Sequence, residues 1–365
     1  MLLFKRGKIL RTMEEGLQWK SAGMSLIPKS PRDEPEGVFI AVPEVYGAGQ
    51  FDLYLEALGA EARNMLGNAR PQWVHLHGNG IYELPMDRIR AVVQAACPDA
   101  GMLGIEIDPA LLEPGAVAGY RTIGVERFCL RMMAPCAGTY DIIRKARALG
   151  AFVSVKICYS NTLSGRLFLQ TVERALSASP NQICLSDIRS RGAFGAELLE
   201  KAGEFCSAAG YRRVSIWAWA KGEASFDALG LMLSGRCASL GPGAINYRSA
   251  VYANPELRPW MQKRLAGDFE AARAGGRLEQ WLALAAGLYR LELRRDSLDN
   301  WLYRHAFALE RIGIVGSNGK PAAGWPMEFC HRAARAARQA LAGNEEYSVS
   351  AALLREKAAA AGREK

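Results

Sequence analysis

Between residues 37 and 220 the chain alternates short apolar runs with longer amphipathic stretches, and this alternation narrows the fold more than any other feature. The runs cover 38–42, 73–76, 102–107, 122–129, 152–158, 183–185 and 214–219, several of them rich in Val and Ile. Continuous apolar runs of this kind suit strands buried on both faces. The intervening stretches at 51–65, 140–149, 163–176 and 196–208 have helical periodicity; Leu163, Leu167, Val172 and Leu176, for example, fall on one stripe. About six strand-then-helix units in series predict an α/β fold, with a parallel sheet closed or nearly closed into a partial (β/α)6-type, TIM-like barrel. Periodicity alone leaves an open, doubly wound sheet as the alternative.

The flanks read differently. Residues 1–36 are expected to be an irregular lead-in, because Pro28, Pro31 and Pro35 sit among charges. After Tyr247 the pattern turns helical, at 260–274, 278–294, 299–313 and 327–342, and residues 314–319 have hairpin-turn chemistry. The expected organisation is a lead-in over 1–36, a barrel over 37–248, a small helical domain over 249–343 and a fraying Ala- and charge-rich tail over 344–365.

Several function classes lose support on composition. No apolar run reaches the roughly 18–20 residues that span a bilayer, and the basic start Met1–Arg6 is a poor signal peptide. A cytoplasmic protein is expected, with no membrane partner. The net charge is +9, of which the chain from Arg258 onward carries +6, with 18 Lys and Arg against 12 Asp and Glu. That surplus permits an anionic partner, although a solvated basic surface is the simpler account of it. The eight cysteines are scattered, with no C-x-x-C and no zinc-finger spacing. Cys129, Cys158 and Cys184 lie in apolar runs and read as buried, reduced thiols. No metal-ligand set, G-x-S-x-G elbow or H-E-x-x-H is present, and residues 316–321 are too tightly spaced for a Walker A loop.

In chain order, a set of short motifs resembles the oxygen-independent coproporphyrinogen III oxidase (HemN/HemW-like) family of the radical-SAM superfamily. Val74-His75-Leu76-His77-Gly78-Asn79-Gly80 looks like that family's glycine-rich turn after the second strand. Gly104–Pro109 looks like its Glu-x-x-Pro segment, and Gly119–Phe128 is similar to its fourth strand. Ala209–Tyr211, Leu240–Ile245 and Tyr252–Asn254 match later stretches. The resemblance spans about residues 37–340. It implies a partial barrel followed by a winged-helix-like C-terminal domain, which Leu309–Cys330 resembles.

The departures matter as much. The family carries C-x-x-x-C-x-x-C after its first strand, whereas Val38–Gln50 holds no cysteine and none occurs before Cys97. An iron–sulfur cluster needs thiolates close in space, so a [4Fe-4S] cluster and radical chemistry are not expected. The triple glycine is interrupted by Asn79, Glu126 replaces a Gln, and Lys156 stands where the fifth strand has Asp. A cation cannot accept the hydrogen bonds a carboxylate accepts, which puts S-adenosylmethionine binding in doubt. By the resemblance Gly78, Asn79, Gly80, Glu106 and Glu126 would line a cofactor site.

Barrel sites gather at the C-terminal ends of the strands. Glu44, His77, Glu106, Glu126, Lys156 and Asp187 fall there, with Trp217 and Trp219 nearby, as a mixed-charge pocket with aromatic walls. Lys156 is expected to pair with Glu106 or Glu126. A structural ion-pair cluster filling the space left by the missing iron–sulfur cluster is the alternative account of these residues. His75 and His77 share a strand face, as core or rim histidines or as ligands of a metal or haem. The leading expectation is a repurposed, cluster-less family member binding a tetrapyrrole, haem or similar carboxylated ligand. One alternative is a non-catalytic partner of a cysteine-bearing radical-SAM paralogue. Another is a non-radical enzyme using Lys156, Glu106 and Glu126 for acid–base chemistry. Nucleic acid is not an expected partner, because the C-terminal block lacks a dense basic recognition helix.

Overall fold

The computed structural model describes residues 21–26, 34–45, 47–113, 115–132, 138–159, 164–187, 194–222, 225–233, 235–247, 251–274 and 289. Apart from Tyr289, the stretches expected at 278–294, 299–313 and 327–342, the turn at 314–319, the winged-helix-like domain and the tail lie outside these residues.

After a first strand β1 (Ser21–Leu26), six strand–helix units follow one another. They are β2 (Gly37–Ala41) and α1 (Ala48–Leu66), β3 (Trp73–His77) and α2 (Met86–Ala96), β4 (Met102–Ile107) and α3 (Ala116–Thr122), β5 (Val125–Met132) and α4 (Thr139–Ala148), β6 (Phe152–Tyr159) and α5 (Gly165–Ser177), and β7 (Gln182–Asp187) and α6 (Phe194–Ala208). Then come β8 (Arg212–Arg213), β9 (Ala218–Ala220), α7 (Ala228–Leu233), β10 (Cys237–Leu240), β11 (Ile245–Tyr247), β12 (Val251–Ala253), α8 (Leu257–Leu265) and β13 (Glu270–Ala274).

Nine strands form one sheet in the order β10-β2-β3-β4-β5-β6-β7-β9-β8, parallel except where β9 runs against β7 and β8. The order from β2 to β7 never reverses, whereas a doubly wound sheet reverses at a switch point. The sheet also curls. Phe226 touches Phe39 of β2 and Trp73 of β3 with its ring, and its backbone N–H and C=O both bond the Gln182 side chain of β7 (2.7 and 2.6 Å). One residue thus bridges strands from opposite sides of the sheet, as in a partial barrel.

Strand alternation sorts the side chains. Val38 and Ile40, Val74 and Leu76, Ile105 and Ile107, Val153 and Val155, and Ile183 and Leu185 are fully or almost fully buried in the layer shared with the helices. Helical spacing supplies the other half of that layer: Ile89, Val92 and Ala96 on α2, and Ile142, Ile143 and Ala146 on α4. Ser164 caps α5 by accepting the Leu167 N–H at 3.2 Å. Inside the barrel, near the N-terminal ends of the strands, Phe39, Trp73, Phe226 and Cys237 pack with Met102 and Phe152 and plug it.

Three expectations need correcting. The lead-in contains β1, which pairs antiparallel with β13, and β1-β13-β12-β11 form a second sheet. The three prolines all follow β1 in sequence rather than interrupt it. The stretch 260–274 is not one helix: α8 ends at Leu265, and β13 follows because pairing with β1 and β12 overrides the helix propensity of its alanines. The run 214–219 is not a parallel strand, since only 218–220 is extended and it runs antiparallel to β7.

A buried polar network ties the second sheet to the barrel. Glu61 of α1 accepts from Arg264 Nε (2.9 Å), Asn254 Nδ2 (2.8 Å), Trp260 Nε1 (3.2 Å) and the Gly241 N–H (2.7 Å). Arg264 spends its remaining donors on Asn254 Oδ1 and on the Asp268 and Glu270 carbonyls. Glu61 and Arg264 are each 1% exposed, so every donor met here offsets a desolvation cost that water would otherwise cover. No helix among the described residues is long and apolar enough to cross a membrane.

Candidate functional site

Above the plug, inward positions of β4 to β6 carry charge, with two histidines beside them on β3. Glu106 sits near the C-terminal end of β4, opposite Cys129 of β5; the next inward residue of β5, Arg131, is opposite Lys156 of β6. Register alone therefore brings three ionic side chains from adjacent strands together. Lys156 Nζ lies 3.4 Å from Glu106 Oε2, Arg131 Nη1 3.8 Å from Oε1, and the Cys129 thiol 3.8 Å from Oε2. The three ionic side chains are 10–19% exposed, which places the cluster below the rim but within reach of solvent.

The electrostatics follow from that geometry. Burial alone would raise the Glu106 carboxyl, but Lys156, then Arg131, then the two histidines hold it well below the usual carboxylate range. Glu106 is therefore an anion at any ordinary pH, framed by two cations. His77, at the end of β3, is half-buried beside this group. One inward step deeper, His75 is 1% exposed, with its ring against Phe39 (5.7 Å) and Phe226 (4.9 Å). It fits only because position 104 is glycine: a Cβ there would come within 2.6 Å of His75 Nδ1. Burial pushes the His75 pKa down to about 3, so the ring is neutral. Neither of its nitrogens has a hydrogen-bond partner among the described residues.

The other expected site residues separate into those near this cluster and those away from it. Gly78 and Gly80 stand at the mouth, but the room they leave is taken by the chain itself. A Cβ on Gly78 (φ +110°) would lie 2.5 Å from the Val42 carbonyl oxygen, and one on Gly80 1.9 Å from that of Pro43. The Gly80 N–H donates to the Val42 carbonyl at 3.1 Å. The glycine turn thus clasps the loop that follows β2, where Glu44 is half-buried, and Asn79 opens the single 3-10 turn Asn79–Glu83. Asp187 ends β7, and its side chain lies outside the described residues.

Glu126 does not join Lys156. It falls in the bulge between Leu103 and Gly104, near the start of β5, where it is exposed at the opposite end from Arg131. Trp219 does not wall the pocket either. It pairs with Ile183, so it faces outward, where it packs on Gly203 of α6 under Arg213. Trp217 is buried against Tyr289. Arg131 and Cys129, which do join the cluster, were legible from the period-two spacing Arg127-Cys129-Arg131, which alternates with the apolar Phe128, Leu130 and Met132. Asp227, whose electrostatics feel Lys156 and Cys184, carried no local signal.

The donor set bears on cofactors. The loop from Val42 to Gly47 offers one carboxylate, Glu44, and no thiol. Cys97 closes α2, Cys206 is inside α6, Cys237 is in the plug, and Cys129 and Cys184 sit on inward strand positions. Among the described residues no group of three or more His, Cys, Asp or Glu is placed to hold a metal ion. These residues do not fit a thiolate-held cluster at the loop after β2.

No protein-family profile matches the sequence, and no curated protein matches it significantly. Solved structures do. The coproporphyrinogen III oxidase HemN of Escherichia coli, a radical SAM enzyme, superposes with a TM-score of 0.64 at 13% identity, over 91% of this chain and 93% of that one. The carboxyl transferase domain of Rhizobium etli pyruvate carboxylase reaches only 0.34 at 10% identity, over 89% of this chain and 58% of that one. The 4-hydroxy-tetrahydrodipicolinate synthase of Methylacidiphilum fumariolicum reaches 0.32 at 14% identity, over 84% and 97%. The last two scores are too low to carry weight. At 13% identity the first establishes a shared fold: this chain has a HemN-like barrel.

Proposed function

We propose that this protein is a HemN-like barrel that has given up the radical-SAM centre and binds a carboxylate-bearing ligand, with porphyrins and haem as the ligand class. The observation that carries the reading is the convergence of Arg131 and Lys156 on Glu106 at the inner mouth of the barrel. Charge-assisted hydrogen bonds from Arg and Lys are the strong contacts available to an acidic ligand, and both cations sit at the end of a β/α barrel where ligands bind. Glu106 draws both side chains to itself, so the site is organised before a ligand arrives and loses less entropy on binding. The plug fills the barrel below the cluster.

The same electrostatics speak against acid–base catalysis by this trio. A carboxyl held well below its usual range is a poor proton donor near neutrality, and Glu126 is at the other end of β5. Nothing among the described residues favours a purely non-catalytic partner subunit.

The test is a titration of the purified protein with coproporphyrin III and with ferric protoporphyrin IX, followed by absorbance. Saturable binding with a shifted Soret band is expected, weakened at least about tenfold in Arg131→Ala and Lys156→Ala; a charge-assisted bond of about 1.5–3 kcal/mol implies that factor or more. A flat titration in a folded protein defeats the reading.

A further inference from the structure

One register row crosses the plug with two polar side chains in it. His75 of β3, Gly104 of β4 and Arg127 of β5 stand side by side, with Phe39 of β2 and Phe152 of β6 at the ends of the row. Glycine puts no side chain between its polar neighbours, and they lean into the gap from either side. A Cβ at position 104 would lie 2.6 Å from His75 Nδ1 and 3.5 Å from the Arg127 Cβ and Cδ. The two side chains are therefore no farther apart than those two distances together. Phe226 covers the gap, its ring centroid 4.9 Å from that of His75 and 3.8 Å from Arg127 Cζ.

Both polar side chains have unused hydrogen-bonding groups. His75 is 1% exposed, and neither ring nitrogen has a partner among the described residues. Arg127 Nη2 donates to the Met102 sulfur at 3.1 Å, while its buried Nε and Nη1 have no partner there. Among the described residues no carboxylate makes an ion pair with this guanidinium; Glu106, next inward on β4, is held by Lys156 and Arg131. The rings of Trp73, Phe152 and Phe226, 3.8–5.9 Å from Arg127 Cζ, offset part of the cost of burying the cation and leave the two N–H groups unmet. Buried donors without acceptors are rare, and each marks a bound water, an ion or strain. Beside an unpaired buried cation, an anion offsets more than a water does.

We propose that the glycine gap between His75 and Arg127 is a site for one small monovalent anion of chloride's size, held by the Arg127 guanidinium and an N–H of the His75 ring. The ring stays neutral in its buried place and donates from Nδ1 in one of its two tautomers. The gap is one missing side chain wide and walled by aromatic rings, which suits a weakly hydrated halide better than a carboxylate or a phosphate. The site does not depend on the porphyrin reading.

Urea unfolding of the full-length chain in rising chloride, with isethionate holding the ionic strength constant, reads the site through linkage. Once chloride exceeds its Kd, the folding equilibrium constant of the parent should rise about tenfold for each tenfold in chloride, the slope for one ion bound by the folded chain alone. Arg127→Met, which keeps an unbranched side chain against Phe226, and Gly104→Ala, whose Cβ fills the gap, should flatten that slope. Crystals of the parent grown in bromide should show an anomalous peak between His75 and Arg127. A parent with no slope up to molar chloride overturns the site, and a bromide peak without a slope marks an adventitious ion only. Equal slopes in the parent and both variants overturn it as well, because the ion then acts elsewhere. If neither variant folds, the bromide map decides: a peak in the gap of a parent that shows the slope upholds the site, and an empty gap or a water there overturns it.

Discussion

His75 should make the protein sensitive to mild acid. In the unfolded chain a histidine titrates near about 6.5, whereas burial pushes the folded value down to about 3. Glu106 opposes that shift, and His77, Arg127 and Lys156 reinforce it. A depressed folded value means that between those two pH values the unfolded state binds the proton and the folded state does not. Stability is then full above about pH 6.5 and falls as the pH drops toward 3. The linkage between pH 7 and pH 5 is worth about 2 kcal/mol. That figure barely depends on the folded value as long as it stays below about 4, because the folded ring is neutral across the whole interval. Urea unfolding of the parent and of His75→Leu at both pH values gives the double difference, in which the other titrating groups largely cancel. The parent should lose about 2 kcal/mol more than the variant on going to pH 5. Equal losses would refute the neutral, sealed histidine.

Three further outcomes follow from the geometry. Lys156→Ala leaves Arg131 as the remaining ion-pair partner of Glu106; it should destabilise the fold by on the order of 2 kcal/mol, less than for a fully buried pair, and raise the Glu106 carboxyl toward its ordinary range, readable by carbon-13 carboxyl titration. Glu61→Ala should cost about 3–5 kcal/mol in chemical denaturation because Arg264 is left charged and buried, while the paired change Glu61→Leu with Arg264→Met should recover much of that loss. Gly80→Ala drives a Cβ to 1.9 Å from the Pro43 carbonyl oxygen and should lower stability by about 1–3 kcal/mol in the same assay, whereas Gly49→Ala, also without a positive φ and with nothing within 4 Å of its Cβ, should not.

Much of the barrel was legible because its information is local. The runs at 38–42, 73–76, 102–107 and 152–158 became β2, β3, β4 and β6, and the helix expected at 140–149 is α4 at Thr139–Ala148. What was not legible depends on partners far away in sequence. β1 and β13 are strands because they pair with each other, and neither has strong β propensity in isolation. The site divides the same way. Glu106 and Lys156 were readable from their places near strand ends, and Arg131 could have been read from its alternation with Arg127 and Cys129. Glu126 was misplaced because the strand expected over 122–129 runs instead from Val125 to Met132, which puts Glu126 at its start, and alternation with Arg127, Cys129 and Arg131 turns it off the inward face. Trp219 was misplaced because β9 reverses direction, which put the ring opposite outward-facing Ile183. Asp227 and Tyr289 meet across 62 residues of chain, a contact that no local pattern encodes.

The account stands or falls on whether this barrel still carries the centre its fold implies. Iron and acid-labile sulfide should be measured after anaerobic purification and reconstitution with iron and sulfide. The account predicts folded protein with neither in stoichiometric amount, because the loop after β2 has no thiol to offer. About four iron and four sulfide per chain, with the broad visible absorbance of a cluster, would contradict it and return radical chemistry to this barrel.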